Sequence, residues 1–542
     1  ARQSVRASIE RFSQIYGQPV DLVESIAHPG RGNGHNELAR RGTGAFILLL
    51  AQDVALEPDA LPQLLACVTR SLPNVAAWEM RQIPYEHPKA YDPATGETGW
   101  VDRAAVLLRR VAFDAVSGFE PRIPEPGAQV DLSWRLRAKG WTLRYVATAA
   151  VQHLLPNHPS AVKADRIDDR ALSNLLLRGR FGTWRNIAQG VRMFAFRGAR
   201  PNASAGSHRS VSNGLLEFAC LLPYLRRTKV ERSASFSPEF RGWDYSAHRD
   251  GESHVFRSAR WKVAGDAAEA LPLVSILIRT RNRPALLRQA LASVAAQTYG
   301  ALEVIVIEDG SPSSDSIVAE FQDRLDIRFQ ATLEQIGPAR AGNLALELAR
   351  GRYVNVVDDR SLLFADHIEV LAGALRESGR RAAYSLAWDI APRDTPSAQD
   401  DDDVPVTRHR QPFNRALLWA QDYLPLENVL FERSLYEEYG GFDPELEPVA
   451  GWELWIRYSL SHDFAFVSKT TTQRRAFPDP NADAAYRKRV GAAQNRVRLK
   501  LSQLRIQTTP LAVLAMADDY VRYHRSLAQS SGSGLRDYSP GR

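Results

Sequence analysis

The chain is poor in sulfur, with two cysteines and three methionines in 542 residues. Cys67 and Cys220 stand far apart in apolar surroundings (LLACVT, EFACLL), which excludes a disulfide framework and reads as two buried thiols in a reducing compartment. No CxxC or Cys/His cluster has the spacing of a zinc site. Long apolar runs are missing too: stretches such as Phe46 to Ala51 fall far short of the roughly 20 residues a membrane-spanning helix requires. The expected location is the cytoplasm, with peripheral contact at the inner face of the membrane as the most that is expected. No segment is built like a signal peptide, and the chain opens on Ala1 in what reads as an amphipathic helix, as if inside a domain.

What is present is ordinary for globular protein: 44% hydrophobic and 24% charged residues. The length allows two or three domains with their own cores. A net charge of +7 arises from 69 basic against 62 acidic residues, which fits a mixed solvated surface better than a nucleic-acid footprint.

Organisation is clearest from Pro272 onward. LVSILI is a short buried-strand run, TRNRP breaks it, Ala285 to Gln297 is apolar at helical spacing, and a second strand, Glu303 to Ile307, ends in Glu308-Asp309-Gly310-Ser311. Strand, helix and strand at this spacing make a βαβ unit and a parallel sheet. A helix through Pro338 to Ala349 and a strand at Arg352 to Val357 follow, with Asp358 and Asp359 at its end. In open parallel sheets ligands bind beyond the carboxyl ends of strands, so these acids converge on one crevice near Thr280.

The first half repeats the scheme, with a helix at Val5 to Tyr16, strands at Pro19 to Glu24 and Gly44 to Leu50, and then Asp53. SGFEPRI…VDLSWRLRAKGW and GGFDPEL…GWELWIRYS recur in the same order, which predicts an internal duplication. The expected division is a partial domain at 1–160, a helical extension and linker at 161–268, a complete domain at 269–480 and a basic helical tail at 481–542. Its run Arg487 to Lys500 lacks acids and reads as a solvated helix face, with anionic lipid as the minority alternative.

These residues resemble family 2 glycosyltransferases. The likeness rests on VSILIRTRNRPALLRQALASVAAQTY, VIVIEDGS, GRYVNVVDD, GGFDPEL, WELWIR and FAFVSKTTTQRR in the second half, and on Val5 to His153 in the first, which lacks the opening strand. It implies an α/β fold of two GT-A domains with mostly parallel central sheets. It also implies a nucleotide-diphospho-sugar donor, a glycan or glycoprotein acceptor, inversion at the anomeric carbon, and Mg or Mn on acidic strand ends. By resemblance Thr280, Arg281, Glu308, Asp309, Arg340, Asp358 and Asp359 border the donor, while Asp358, Asp53 and His153 belong to the metal side. Alone, Asp309 reads equally as a helix cap, His153 as a hydrogen-bonded histidine, and Trp452 and Trp455 as core.

The pattern also departs from that family. The acid expected as catalytic base is replaced by Ala450-Gly451 in the second half and Ala128-Gln129 in the first. Glu445, Glu447 and Glu453 are the candidate substitutes, with Glu125 and Asp131 in the first half. Arg360 falls where the later metal acid belongs; it would repel a divalent cation but suits a diphosphate. The Arg of an expected ARN segment is Gly342, before Asn343, and the matching first-half place is His35, before Asn36. The alternative to an enzyme is a non-catalytic scaffold or binding subunit.

Overall fold

The computed structural model describes residues 31–154 apart from 85 and 126, then 164–198, 207–231, 236–251, 271–390, 406–408, 411–475 and 480–503, with isolated positions besides. The expected elements at Val5 to Tyr16 and Pro19 to Glu24 lie outside this range as continuous segments.

The first half is built on five strands: β1 (Phe46–Leu50), β2 (Val54–Leu56), β3 (Val75–Ile83), β4 (Ala105–Arg109) and β5 (Thr142–His153), in the spatial order β1-β4-β3-β5-β2. The parallel sheet expected here is not what forms. Only β3 and β5 run parallel; β1/β4, β3/β4 and β2/β5 are antiparallel. The parallel character inferred for the second half does not carry over, because the first sheet has no counterpart, among the described residues, of the βαβ unit.

Among the described residues the second half holds nine strands: β6 (Val274–Thr280), β7 (Leu302–Glu308), β8 (Asp326–Ala331), β9 (Tyr353–Asp358), β10 (Ser361–Leu363), β11 (Ala382–Ile390), β12 (Val406–Arg408), β13 (Val429–Glu432) and β14 (Phe464–Arg475). Their order is β10-β14-β11-β13-β9-β6-β7-β8, with β12 on β11. The strands β9, β6, β7 and β8 pair in parallel. VSILIRT of β6 is buried along nearly all its length, as a central parallel strand covered on both faces must be. The helices Pro284–Ala295 and Pro338–Leu348 each start on a proline, whose missing N–H costs nothing there.

Read from β9 onward, the order β9-β13-β11-β14-β10 repeats β1-β4-β3-β5-β2, and the duplication extends to hydrogen bonds. Asn36 Nδ2 donates to Phe119 O at 2.9 Å and its Oδ1 accepts from Phe119 N at 2.8 Å; Asn343 does the same with Phe442 at 2.9 and 2.7 Å. Each Asn crowds a glycine. A Cβ on Gly118 or Gly441 would come within 2.3 or 2.2 Å of the Asn oxygen, which explains the glycine of SGF and GGF. The helices Gly127–Ala138 and Ala450–Ser459 pin the same turns: Arg135, paired with Asp131 at 2.7 Å, reaches the carbonyls of Val116 and Gly118. Arg457, paired with Glu453 at 2.7 Å, reaches those of Tyr439 and Gly441.

The expected helical extension packs on the first half. The helices Ala164–Phe181, Trp184–Gly198 and Ser207–Arg227 close over Trp134 with Leu175, Phe181, Phe194 and Phe218 in one core. The basic run after Pro480 is helical and one side of it packs on the second half. On the helix Pro480–Ser502, Ala493 and Val497 are buried in the second core, and Lys500 meets Asp443 and Glu453 at 2.8 and 2.9 Å. Cys220 is exposed and Cys67 only half-buried, contrary to the expectation of two buried thiols. No helix among the described residues is long and apolar enough to cross a membrane.

The two halves meet through charge. Arg81 Nη1 donates to Glu369 at 2.8 Å, and Arg249 Nη1 to Asp366 Oδ1 at 2.8 Å. Lys469 Nζ lies 2.6 Å from Asp366 Oδ2. The Tyr91 hydroxyl accepts from Ala365 N at 3.0 Å, and Tyr91, Tyr145, Phe364 and Trp388 form an apolar cluster alongside.

Candidate functional site

Register brings the acidic strand ends of the second half together. Thr280 pairs with Glu308 across β6/β7, Arg279 with Asp358 across β6/β9, and Asp309 N donates to Thr280 O at 2.9 Å. Beyond the carboxyl edge, Thr280 Oγ1 donates to Asp359 Oδ2 at 2.8 Å, and Arg283 Nε lies 3.0 Å from the same oxygen. Thr280, Asp309, Asp358 and Asp359 thus stand at one carboxyl edge of the sheet.

Their roles differ. Glu308 is fully buried and its carboxylate accepts from Ser313 N at 2.8 Å and Ser314 N at 3.1 Å, so it holds the loop before the turn Asp315–Ala319. Asp309 does not cap that turn. Its Oδ1 accepts from Ile336 N at 2.7 Å and its carboxylate from Gly337 N, at the start of the helix Pro338–Leu348. Glu447 comes to the same place, accepting from Ala339 N at 2.6 Å. Two carboxylates at one helix N-terminus match its positive end. Arg281, Arg340 and Glu445 are exposed, and Glu447 is half-buried.

Asp358 and Asp359 are a coupled pair. Burial, with the Asp358 charge beside it, pushes the Asp359 carboxyl up to about 7 against the pull of Arg283 and Thr280. Burial opposes ionisation of Asp358 too, but its hydrogen bond with Asp359 and the charges of Arg279, Arg360 and Arg283 hold it below its ordinary value. Because the folded state favours protonated Asp359, its stabilising contribution is full below the ordinary value of 3.8 and fades as the pH climbs toward 7. Asp359→Asn should therefore remove a loss of stability between about pH 4 and pH 7. Urea melts of both proteins across that range check this; parallel stability curves would contradict it.

Glu453 is not an open base. It is buried, with Arg457 on both oxygens at 2.7 and 2.9 Å and Lys500 at 2.9 Å, a holding role fixed by its helix. Asp131 is held likewise by Arg135 and Arg180 at 2.7 and 2.8 Å, and Glu125 by Arg103. Trp452 and Trp455 are core. In the first half Asp53 Oδ2 lies 3.2 Å from His153 Nε2, and His153 Nδ1 sits 3.1 Å from Gln82 Oε1. Sequence reasoning brought these two to one metal side, and they are neighbours.

Three participants were missed. Arg279 and Arg283 sit within TRNRP and the strand before it, and Glu427, in PLEN, meets Ser361 Oγ and Arg474 Nε at 3.1 Å each. The run RTRNR offered a signal for the first two. Glu427 reaches Ser361 and Arg474 from the 3-10 turn Leu426–Asn428, which no periodicity announces.

Residues 275–439 match the sequence profile of the family described as Glycosyl transferase family 2. EpsH of Bacillus subtilis (strain 168), named as a glycosyltransferase, is 27% identical over 172 residues, 31% of this chain and 49% of that protein. An uncharacterized protein of Mycobacterium tuberculosis (strain CDC 1551 / Oshkosh) is 28% identical over 242 residues, 39% of this chain and 72% of the relative. This chain therefore spans about half the length of EpsH. Among solved structures, the mannosyltransferase PcManGT of Pyrobaculum calidifontis, in complex with GDP-Man and Mn2+, aligns at 21% identity and a TM-score of 0.36, over 51% of this chain and 79% of that one.

Proposed function

We propose that the second half, whose residues 275–439 match the sequence profile of Glycosyl transferase family 2, binds a nucleotide-diphospho-sugar and transfers its sugar, with inversion, to a hydroxyl of a glycan or glycoprotein in polysaccharide or cell-surface glycan synthesis. The observation that carries this reading is the edge formed by the carboxyl ends of β6, β7 and β9, where Asp359 meets Thr280 and Arg283, Asp358 lies beside Arg279, and Asp309 N donates to Thr280 O. Thr280, Arg281 and Asp309 border the nucleoside. The arginines offset the phosphate charge.

Glu447 is the proposed base, with Glu445 behind it. Its carboxylate takes the proton of the acceptor hydroxyl, the oxygen attacks the anomeric carbon, and the bond from that carbon to the phosphate oxygen breaks. The nucleoside diphosphate leaves with the bonding electrons. The first half, whose sheet has no counterpart of β6, β7 and β8 among the described residues, supports a second role as scaffold: it buttresses the second half through Arg81 and Arg249, which pair with Glu369 and Asp366.

A thermal-shift panel of nucleoside diphosphates and nucleotide-sugars tests the reading. A ligand held at about 100 times its Kd stabilises the folded state by about 2.7 kcal/mol, so at least one nucleotide-sugar should raise the melting temperature by several degrees. No shift with any of them would refute it.

A further inference from the structure

The duplication allows the two halves to be superposed residue by residue at the site. The cross-strand pair Val54 and His153 in the first half corresponds to Ser361 and Arg474 in the second, each joining the short strand after the acidic turn to the end of the long last strand. The same correspondence follows from the neighbouring strand, where Gln152 and Gln473 directly precede His153 and Arg474. Stepping back one residue sets Asp53 against Arg360. The first half therefore places a carboxylate and an imidazole, 3.2 Å apart, where the second places two guanidinium groups.

Aspartate and histidine are cation ligands. Two arginines are not. Arg360 Nε lies 3.6 Å from Asp358, Arg474 Nε 3.1 Å from Glu427 and 3.5 Å from Asp389, and Arg475 N reaches Arg360 O at 3.3 Å, so both arginine segments are anchored side by side. Arg279, Arg360 and Arg283 all act on Asp358, while Asp359 already serves Thr280 and Arg283. Among the described residues, the only three ligand-type side chains within reach of a common metal are His87, Asp244 and His248, none of which belongs to this crevice. Magnesium or manganese does not fit the second half: a divalent cation there would meet guanidinium groups where it needs oxygen or imidazole.

We propose that the second half binds the donor's diphosphate without a divalent cation, Arg360 and Arg474 supplying the positive charge at the positions where the first half holds Asp53 and His153. Guanidinium suits the task because its planar fork of N–H donors pairs with phosphate oxygens and keeps its charge at any physiological pH. The inference rests on the donor-binding reading above and specifies how that site neutralises its ligand. Arg360 and Arg474 are binding residues for the leaving group. They also stabilise the charge that grows on the diphosphate as the glycosidic bond breaks.

Calorimetry with uridine and guanosine diphosphates, on the full chain, tests this. Wild type should bind one of them equally well in EDTA and in manganese. The double variant Arg360→Gln/Arg474→Gln should bind about 10²-fold more weakly, one charge-assisted contact being lost at each residue. The variant Arg360→Asp/Arg474→His, which copies the first half, should lose binding in EDTA and recover it in manganese. Circular dichroism and the melting temperature of each variant report whether it is folded. Two results overturn the proposal: wild-type binding that needs manganese, or undiminished binding by a folded Arg360→Gln/Arg474→Gln variant. If neither nucleotide binds wild type with or without manganese, the donor-binding reading falls and takes this one with it, an outcome distinct from a metal requirement.

Discussion

Asp366→Ala is expected to destabilise the chain by about 3–5 kcal/mol, because it strips the shared partner from two buried cations. Arg249 and Lys469 converge on this carboxylate at 2.8 and 2.6 Å, and all three side chains are largely shielded from water. Burial alone would push the Asp366 carboxyl up, yet Arg249, Lys469 and Arg81 hold it well below the ordinary carboxylate range. A carboxyl lowered in this way contributes its stability at neutral pH and loses it as the pH falls through the folded-state value. Wild type should accordingly lose stability in acid more steeply than Asp366→Asn does. Urea unfolding, followed by tryptophan fluorescence at neutral and acidic pH, measures both effects. A cost under about 1 kcal/mol would mean that the cluster behaves as a solvated surface pair and that the halves are held by the Tyr91 and Phe364 contacts instead.

Turnover is expected to fall by about 10² to 10⁴ in Glu447→Gln while donor affinity stays nearly unchanged. Glutamine keeps a carbonyl oxygen for the bond from Ala339 N, so the helix start should survive the change; only the proton acceptor is removed. Glu453→Gln is the comparison. Its carboxylate is occupied by Arg457 and Lys500, and its loss should lower stability and leave the rate of the folded fraction intact. A Glu447→Gln protein of full activity would rule out this base. A wild type that binds a nucleotide-sugar yet turns over with no acceptor would instead favour the scaffold reading for the whole chain.

The sequence alone was sufficient for the βαβ series of the second half. Apolar strand runs, proline-started helices and acidic strand ends are local signals, and in a parallel sheet they have one arrangement. It also sufficed for the duplication, because SGFEPRI with VDLSWRLRAKGW and GGFDPEL with GWELWIRYS recur in the same order. It did not determine the strand directions of the first half, since FILLL and AVLLR read alike in parallel and antiparallel sheets. Nor could spacing separate Glu447 from Glu453: they are six residues apart in sequence, yet one caps the helix Pro338–Leu348 and the other is consumed by an arginine four residues on. The equivalence of Asp53 and His153 with Arg360 and Arg474 was equally out of reach, because it depends on cross-strand register between segments about a hundred residues apart. Local chemistry dictates which elements form and where acids stand on them; which of those acids remains open to a ligand is decided by the cations that tertiary packing brings to the others.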